Sequence, residues 1–244
     1  MYKNQPDETY HVGQGIFVLT KSELDLLNLS VQEMTSVREY LGDGAITRYN
    51  IDYNQSKYLI YADEQYRYLI KTDPNYLNIK AHLDHMSKYI TSCWKPYGIH
   101  RARKREYFEN NKIITPSMFA HPLFAIDMNN LFVGMSFNVI IPYDLDNIYW
   151  LTGLLNSKFA DNWFYKNAKH RGVGVDVGVD KLREFPIPSK ENYTFHKITE
   201  LVKSIMHSKD CGNDTSPLES EIDRIVYQLY GLTEEEIKIV EGAL

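Results

Sequence analysis

Lys112-Ile-Ile-Thr-Pro116 is the most strand-like segment of the chain. Isoleucine and threonine are β-branched, and such side chains fit a pleated sheet better than a helix. Short apolar runs follow at 123–126, 131–133 and 137–141, and Pro, Asn and Asp separate them. We therefore predict a mainly antiparallel sheet at the centre of this half of the protein.

The residues before this sheet predict a compact mixture of short helices and strands. A helix is expected from Ser22 to Leu27. Ser30-Val-Gln-Glu33 has the spacing of a capping box, which predicts a second helix running to about Leu41. Short strands are predicted at 46–49 and 57–61.

The clearest helix is predicted from Pro74 to Thr91. Asp73 precedes it as an N-cap, and proline is favoured at the first helical position because the N–H that it lacks would have no intrahelical partner there. Apolar side chains then recur at helical spacing. They are Leu77, Ala81, Leu83, Met86 and Ile90.

Helical patterns also follow the sheet. Residues 146–164 carry apolar side chains at helical spacing, and a polar linker at 208–216 divides a purely helical end of the chain. Ser216-Pro-Leu-Glu219 has capping-box spacing, Gly231 stands at the position that ends a helix, and Thr233 opens a last short helix.

The predicted fold class is α+β. Residues 1–190 are expected to form a mixed, mainly antiparallel sheet domain with flanking helices. Residues 191–244 are expected to form a helical hairpin that packs on this domain or on a partner domain. A chain of 244 residues with 43% apolar residues can bury a core of this size.

Composition excludes several classes of protein. No apolar run approaches the ~20 residues of a membrane span, and the first residues lack the hydrophobic stretch of a signal peptide. We therefore expect a cytoplasmic protein without a membrane partner. Cys93 and Cys211 lie far apart without CxxC spacing, which predicts neither a disulfide framework nor a zinc site.

Positive charge is concentrated within a chain whose formal net charge is −5. Residues 95–112 contain six Lys or Arg and two Glu, whereas 209–244 contain three basic and nine acidic side chains. The first basic cluster (His100–Arg105) and the second basic cluster (Lys166–Arg171) are predicted to flank one sheet. The second runs into a glycine-rich segment that we interpret as a flexible loop. Both are candidate polyanion-binding surfaces.

Each basic cluster has a simpler interpretation as well. The first is then a solvated loop, or its Arg101 and Arg103 pair with carboxylates of the same domain. The second merely caps the C-terminus of the helix that begins at Asp146, where basic side chains are electrostatically favourable.

Motifs for catalysis or cofactor binding are weak. Gly172–Gly178 has glycines near dinucleotide-loop spacing, but it follows a basic segment and not a buried strand. His82 and His85 share a helix face, yet a metal site needs a third ligand. Asp73-Pro-Asn-Tyr76 lacks the second proline of the Asp-Pro-Pro-Tyr loop of adenine methyltransferases, and a helix start explains it. We predict no catalytic residue and no metal ligand in this chain.

Five segments occur in an order that resembles a known family. They are Trp94-Lys-Pro-Tyr-Gly-Ile-His-Arg-Ala-Arg103, Lys112–Pro116, Phe124-Ala-Ile-Asp127, Leu151-Thr-Gly-Leu-Leu-Asn-Ser157 and Leu182-Arg-Glu-Phe-Pro-Ile-Pro188. The order resembles the TaqI-like C-terminal specificity domain of DNA methyltransferases and type IIG restriction-modification enzymes. The tail Glu221–Ile237 is similar to the segment that closes those polypeptides. The resemblance runs from about Gly13 to the end of the chain.

The resemblance implies a target recognition domain that grips duplex DNA and reads a short sequence, largely from the major groove. A methyltransferase or methyltransferase-nuclease domain or subunit would be its partner. That partner would hold S-adenosylmethionine, flip an adenine and methylate its N6. This chain lacks the catalytic Asn/Asp-Pro-Pro-Tyr loop and the cofactor-binding glycine motif. We therefore expect it to hold no cofactor and to do no chemistry alone.

The predicted DNA-binding residues combine the two basic clusters with positions that the resemblance implies. In the family, turns corresponding to Gly13-Gln-Gly15 and Arg171–Gly174 lie towards the DNA or the catalytic domain. The predicted set is Gln14, His100, Arg101, Arg103, Lys104, Arg105, Lys112, Ser117, Lys166, Asn167, Lys169, His170, Arg171, Gly172 and Gly174.

Other functions stay open at this point. One is a protein-interaction module whose helical hairpin docks a subunit, and a related one is the DNA specificity subunit of a multi-subunit restriction system. Another is a self-contained nuclease with dispersed carboxylates, which predicts metal-dependent cleavage of DNA by this chain.

Overall fold

The structure, a computed structural model, describes residues 15–42, 44–89, 95–189 and 192–242. Gln14 and the predicted helix end at Thr91 lie outside the described residues. The chain divides into two compact units. Unit 1 comprises Met1–Gly42 and Tyr53–Tyr107, and unit 2 comprises Asp43–Asp52 and Phe108–Leu244.

Helices and antiparallel strands alternate irregularly along the described residues. The helices are α1 (Lys21–Leu26), α2 (Val31–Met34), α3 (Glu64–Thr72), α4 (Leu77–Ser87), α5 (Ile148–Leu155), α6 (Lys158–Asn167), α7 (Val179–Glu184), α8 (Asn192–Asp210), α9 (Ser216–Leu229) and α10 (Glu234–Val240). The strands are β1 (Val18–Leu19), β2 (Val37–Tyr40), β3 (Ile46–Thr47), β4 (Asn50–Ile51), β5 (Lys57–Ile60), β6 (Lys112–Pro116), β7 (Met118–Phe119), β8 (Ala125–Asp127), β9 (Phe137–Ile140), β10 (Lys169–Arg171) and β11 (Gly174–Asp176). The predicted α+β class with C-terminal helices is confirmed. None of these described helices is long and apolar enough to cross a membrane.

Unit 1 is built on a three-stranded sheet with the order β1-β5-β2. Both pairs are antiparallel, with Val18 opposite Leu59 and Val37 opposite Ile60. Helices α1, α2, α3 and α4 complete the unit. Its most deeply buried apolar side chains include Ile60, Ile70, Tyr76, Ile79 and Leu83.

Glu33 joins two helices of unit 1. The capping box predicted at Ser30 is confirmed, because the Ser30 hydroxyl accepts from the Glu33 N–H and the Glu33 carboxylate accepts from the Ser30 N–H at 2.9 Å. The other carboxylate oxygen accepts from the N–H groups of Asn78 and Ile79, at 2.7 and 2.9 Å, in the first turn of α4. A carboxylate that is only 1% exposed needs such donors. Glu33 therefore caps α2 and α4 together.

The predicted extension of the second helix to Leu41 is wrong. Helix α2 ends at Met34, and Val37–Tyr40 forms β2. Strand β2 pairs along its whole length with Lys57–Ile60, so interstrand hydrogen bonds take the place of helical ones. The capping box starts the helix, and the pairing with a later segment of the chain decides where it ends.

The helix predicted from Pro74 is confirmed, but its first turn is a 3₁₀ turn and not an α-helical one. Pro74–Tyr76 forms a 3₁₀ turn, and the Asp73 carboxylate caps it by accepting from the Asn75 N–H at 2.9 Å. Helix α4 then runs to Ser87. Asp73 is thus a helix-start residue, as predicted, whereas the preceding helix α3 was not predicted.

His82 of α4 gives unit 1 a pH dependence. Its Nε2 lies 2.9 Å from the Ile16 carbonyl, and burial lowers the pKa of the imidazole below its ordinary value of about 6.5. The unfolded chain therefore takes up the proton first, so stability is lost as the pH falls through that value. We expect the urea midpoint to drop less between pH 7.5 and 5.5 in His82→Gln than in the unsubstituted protein. Equal drops in the two proteins would contradict the assignment.

Unit 2 contains three small sheets among its described residues, with the orders β8-β6-β9, β10-β11-β7 and β3-β4. The predicted strand at Lys112–Pro116 is the central strand of the first, where Ile113 lies opposite Ile126 on one side and Ile140 on the other. The sheets share one core with α5, α6, α8 and α9. This core includes Ile113, Phe124, Ile126, Leu154, Phe164, Ile198, Val202, Ile222 and Val226.

The helix predicted over 146–164 is divided into α5 and α6. The side-chain amide of Asn156 separates them, because it binds both main-chain groups of Phe124, at 3.0 and 2.8 Å. Ser157 then caps α6 by accepting from the Ala160 N–H at 3.2 Å. The Leu-Leu-Asn-Ser segment is therefore a junction that fixes the strand region to two helices.

Helices α8 and α9 form the predicted hairpin, and the last helix predicted from Thr233 is α10, which begins with a capping box between Thr233 and Glu236. The capping box predicted at Ser216 is wrong. Thr215 is the N-cap, and its hydroxyl donates to the Glu219 carboxylate at 2.7 Å and makes no cap bond to the backbone. Gly231 follows α9 with a φ of 63°, as expected for the residue that ends a helix.

The boundary predicted after residue 190 falls inside unit 2. The core of this unit contains side chains from both sides of that position, among them Leu154 and Val202. As a division into functional parts, 1–190 and 191–244 remains a prediction.

Candidate nucleic-acid interface

The first basic cluster (His100–Arg105) lies in unit 1, and hydrogen bonds to its main chain hold the segment that carries it. The Ile99 N–H donates to the Ala62 carbonyl at 3.0 Å. Arg67 Nε of α3 donates to the Pro96 carbonyl at 2.9 Å. The Tyr61 hydroxyl donates to the Arg103 carbonyl at 2.6 Å. The backbone of this segment is therefore fixed beside β5 and α3.

Several cations of this segment are paired within unit 1. The pairs are Lys95 with Glu64, Lys104 with Glu106 at 3.2 Å and Arg105 with Asp63 at 3.6 Å. The Arg105 guanidinium also lies over the rings of Tyr66 and Tyr61, 5.4 and 5.7 Å from their centroids. Pairing with a carboxylate and two rings gives Arg105 a structural role, whereas the simpler interpretation assigned carboxylate pairing to Arg101 and Arg103.

Arg101 and Arg103 differ in exposure. Arg103 is half-buried, and burial lowers the pKa of its guanidinium. Arg101 and its neighbour His100 are exposed. Among the described residues, Arg101 forms no recorded ion pair. Within this cluster, Arg101 is the arginine best placed to meet an external anion.

Arg101→Ala and Arg105→Ala separate the two roles. Arg101→Ala should change the free energy of unfolding by no more than about 0.5 kcal/mol, because the side chain is exposed. It should reduce the slope of log affinity for DNA against log salt concentration by about one. Arg105→Ala should destabilise the protein by roughly 1 kcal/mol through its lost ring contacts. Urea denaturation and filter binding at several salt concentrations measure both. Destabilisation by Arg101→Ala and not by Arg105→Ala would reverse the assignment.

The prediction that Lys112 contacts DNA is wrong. Its side chain is 0% exposed, and its Nζ donates to the Phe108 carbonyl at 2.7 Å and to the Asp127 carboxylate. Burial lowers the pKa of the Lys112 ammonium, against the opposing effect of Asp127. An enclosed ammonium whose donors are already used cannot reach a phosphate, so Lys112 is removed from the predicted interface.

The second basic cluster (Lys166–Arg171) ends in a β-hairpin and not in the flexible loop that we expected. Strands β10 and β11 are antiparallel, with Lys169 opposite Asp176 and Arg171 opposite Gly174. Strand β11 also pairs with β7, which leaves β10 at the outer end of the order β10-β11-β7. All three side chains of β10 are exposed. We call β10, β11 and the two residues between them the basic hairpin.

Glycines set the geometry of the basic hairpin. Gly172 opens the two-residue loop with a φ of 58°, the pattern of a type II′ turn, which demands glycine at this position. Gly174 lies against β7, where a Cβ atom would stand 2.5 Å from the Phe119 carbonyl oxygen. Both predicted residues therefore shape the surface through the backbone.

Side chains of the basic hairpin are oriented by neighbours that the sequence did not indicate. Arg171 Nε lies 2.9 Å from the Asp176 carboxylate of the adjacent strand. The His170 ring meets the Tyr165 ring edge-on, with centroids 4.7 Å apart. Between the strands, Val173 is 99% exposed. In the sequence, a two-residue loop that begins with glycine was the available signal for this hairpin.

The remaining predicted residues lie around the basic hairpin in unit 2. Lys166 and Asn167 form the exposed end of α6, where Asn167 Nδ2 donates to the Trp163 carbonyl at 2.8 Å. This agrees with the alternative in which the cluster caps its helix. Ser117 joins β6 to β7, and its main chain bonds to Ser136 and Val177, both at 2.7 Å.

The structure groups the predicted residues into two surfaces. His100, Arg101, Lys104 and the partly buried Arg103 and Arg105 belong to unit 1, whereas 166–174 and Ser117 belong to unit 2. The first cluster lies beside the sheet of unit 1 and the second is part of a sheet of unit 2, and that both flank one sheet stays a prediction. Within the described ranges, no group of three or more His, Cys, Asp or Glu side chains is arranged to hold a metal ion.

Comparisons with known proteins bear on both surfaces. Residues 38–187 match the family described as the TaqI-like C-terminal specificity domain, a range that contains both basic clusters. The chain is 28% identical over 146 residues to the type II methyltransferase M.MjaIV of Methanocaldococcus jannaschii. The aligned region covers 57% of this chain and 49% of that protein. The type IIL restriction-modification enzyme MmeI, solved in complex with DNA, has a similar fold, with a TM-score of 0.66 and 15% identity over 98% of this chain and 34% of MmeI. The chain thus spans about half of the first protein and about a third of the second.

Proposed function

Because the chain belongs to the TaqI-like C-terminal specificity domain family, we propose that it recognises a DNA sequence for a restriction-modification enzyme. The basic hairpin is the observation that carries this proposal. It offers Lys169, His170 and Arg171 on one exposed strand, and its backbone is fixed by pairing with β11 and β7. A rigid, positively charged ribbon has the shape and the charge that duplex DNA binds.

The division of labour follows from the side-chain chemistry. Lysines such as Lys166 and Lys169 attract phosphates and supply affinity that depends on salt but not on sequence. Arginine can donate two hydrogen bonds to O6 and N7 of guanine in the major groove. Arg171, aligned by Asp176, is the side chain we propose for such a contact. The exposed residues of the first basic cluster would add phosphate contacts from unit 1.

We place the chemistry in a separate methyltransferase domain or subunit. That partner would hold S-adenosylmethionine, flip the target adenine and methylate its N6, while this chain positions the duplex. Support comes from M.MjaIV, a type II methyltransferase of which this chain spans about half. A parent enzyme that also cleaves DNA would use the same recognition surface for both reactions.

Selection from a random duplex pool tests the proposal. The chain is immobilised, bound duplexes are sequenced through several rounds, and affinity for the enriched sequence is then measured between 50 and 200 mM salt, where each phosphate contact steepens the dependence. We expect one short enriched sequence and a steep loss of affinity with salt. Binding that neither enriches a sequence nor responds to salt would favour a protein-interaction module, and metal-dependent cleavage of the pool would favour a nuclease.

A further inference from the structure

The tip of the basic hairpin has a chemistry that phosphate binding does not explain. Its outermost side chain is Val173, an apolar and β-branched residue that is 99% exposed, beyond three polar or charged side chains. Single exposed apolar residues are common on protein surfaces. This one, however, stands at the leading end of a rigid ribbon whose adjacent strand carries Lys169 and Arg171.

The dimensions of the hairpin select one groove of DNA. Two paired strands lie about 4.8 Å apart before their side chains are added. The major groove, about 12 Å wide, admits a two-stranded ribbon, whereas the minor groove is only about 6 Å wide. Of the two grooves of undeformed DNA, the major groove is therefore the one that accepts a hairpin approaching with its tip first.

The major groove offers one apolar group to such a tip. Guanine, cytosine and adenine present hydrogen-bond donors and acceptors there, and thymine adds its C5-methyl group. A valine side chain makes no hydrogen bonds. Among the base edges of the major groove, the thymine methyl group is therefore the one with which it can make a favourable apolar contact.

We propose that Val173 reads a thymine by contact with its C5-methyl group while the basic hairpin lies in the major groove. This rests on the proposed function and adds a specificity residue to it. Gly172 turns the chain through its positive φ, and the space beside it is open, since no atom lies within 4 Å of the position that its Cβ would take. Gly174 holds the other side of the loop against β7. The valine is thus presented on a fixed backbone.

Removal of a single methyl group from DNA tests this proposal. In the duplex enriched by selection, each thymine is replaced in turn by deoxyuridine, which lacks only the C5-methyl group, and dissociation constants are measured. We expect one position at which affinity falls about fourfold, the order expected when one methyl group loses its apolar contact. Val173→Ala should bind the thymine duplex with a similar loss and show no further loss with deoxyuridine at that position.

Two variants control for shape and exposure. Val173→Thr keeps the β-branched shape but exchanges one methyl for a hydroxyl, and it should show a smaller thymine preference. Val31→Ala, at a valine that is 89% exposed in α2, should keep the full deoxyuridine effect.

The outcomes separate the two proposals. An enriched sequence without any deoxyuridine effect, or an effect that Val173→Ala retains, overturns the role of Val173 and leaves DNA recognition intact. Failure to enrich any sequence contradicts the proposed function, and the role of Val173 falls with it.

Discussion

Lys112→Met is expected to lower the free energy of unfolding by about 3–5 kcal/mol, the cost of removing one partner from a buried ion pair. The substitution removes the ammonium from the buried Asp127 carboxylate, which also accepts from the N–H groups of Leu131 and Asn129, at 2.9 and 3.0 Å. The hydrogen bond from Lys112 to the Phe108 carbonyl is lost as well. Urea denaturation followed by circular dichroism measures the loss.

A double substitution and a surface control define the cause of that loss. Lys112→Met combined with Asp127→Asn should recover part of the stability, because no unpaired charge then remains in the core. Lys181→Met, which breaks an exposed pair with Glu184 in α7, should cost less than about 1 kcal/mol. If Lys112→Met weakened DNA binding while leaving stability unchanged, Lys112 would return to the interface.

The double charge reversal Lys169→Glu with Arg171→Glu is expected to weaken binding to the enriched duplex by on the order of 100-fold or more. Two attractive charges become repulsive at the phosphate backbone, and the proposed guanine contact of Arg171 is lost, which alone is worth ~1–3 kcal/mol. The slope of log affinity against log salt concentration should fall by about two, since two positive charges are lost. Filter binding between 50 and 200 mM salt gives both values.

The matched control places the same charge change on the helical tail. Lys197→Glu with Lys203→Glu lies on α8, outside both basic clusters. We expect a much smaller loss of affinity from this variant, because both lysines lie outside the proposed DNA-binding surfaces. Equal losses from the two variants would show that net charge, and not the basic hairpin, governs binding.

Local signals in the sequence located helix starts better than helix ends. The helix starts predicted at Ser30 and Thr233 are confirmed, and each has a capping box in the structure. A capping box is a local feature, since its partners lie within three residues of each other. The end of α2 depends on a strand pair with Lys57–Ile60, which no local pattern shows. The second role of Glu33, at the start of α4, joins residues 45 positions apart and was equally invisible.

The density of basic residues in the sequence indicated where to look for basic surfaces but not which of these side chains are exposed. Lys112 and Arg101 belong to the same basic stretch, yet one lies in the core and the other in solvent. Their difference arises from Asp127, which faces Lys112 across the β6–β8 pair. The orientation of Arg171 by Asp176 likewise depends on strand register, which a segment interpreted as a flexible loop does not have.

The path of the chain between the two units constrains how such a protein can exchange parts with a relative. The chain passes from one unit to the other three times, and the β3–β4 hairpin of unit 2 interrupts unit 1. A single recombination crossover after Tyr107 would carry this hairpin along with unit 1. The incoming hairpin would then have to replace Tyr49, whose N–H donates to the Phe124 carbonyl at 3.0 Å, and Arg48, which donates to the Asn156 carbonyl. Viable chimaeras should therefore take residues 43–52 from the parent that supplies unit 2. Exchange of unit 1 then requires two separate segments, 1–42 and 53–107.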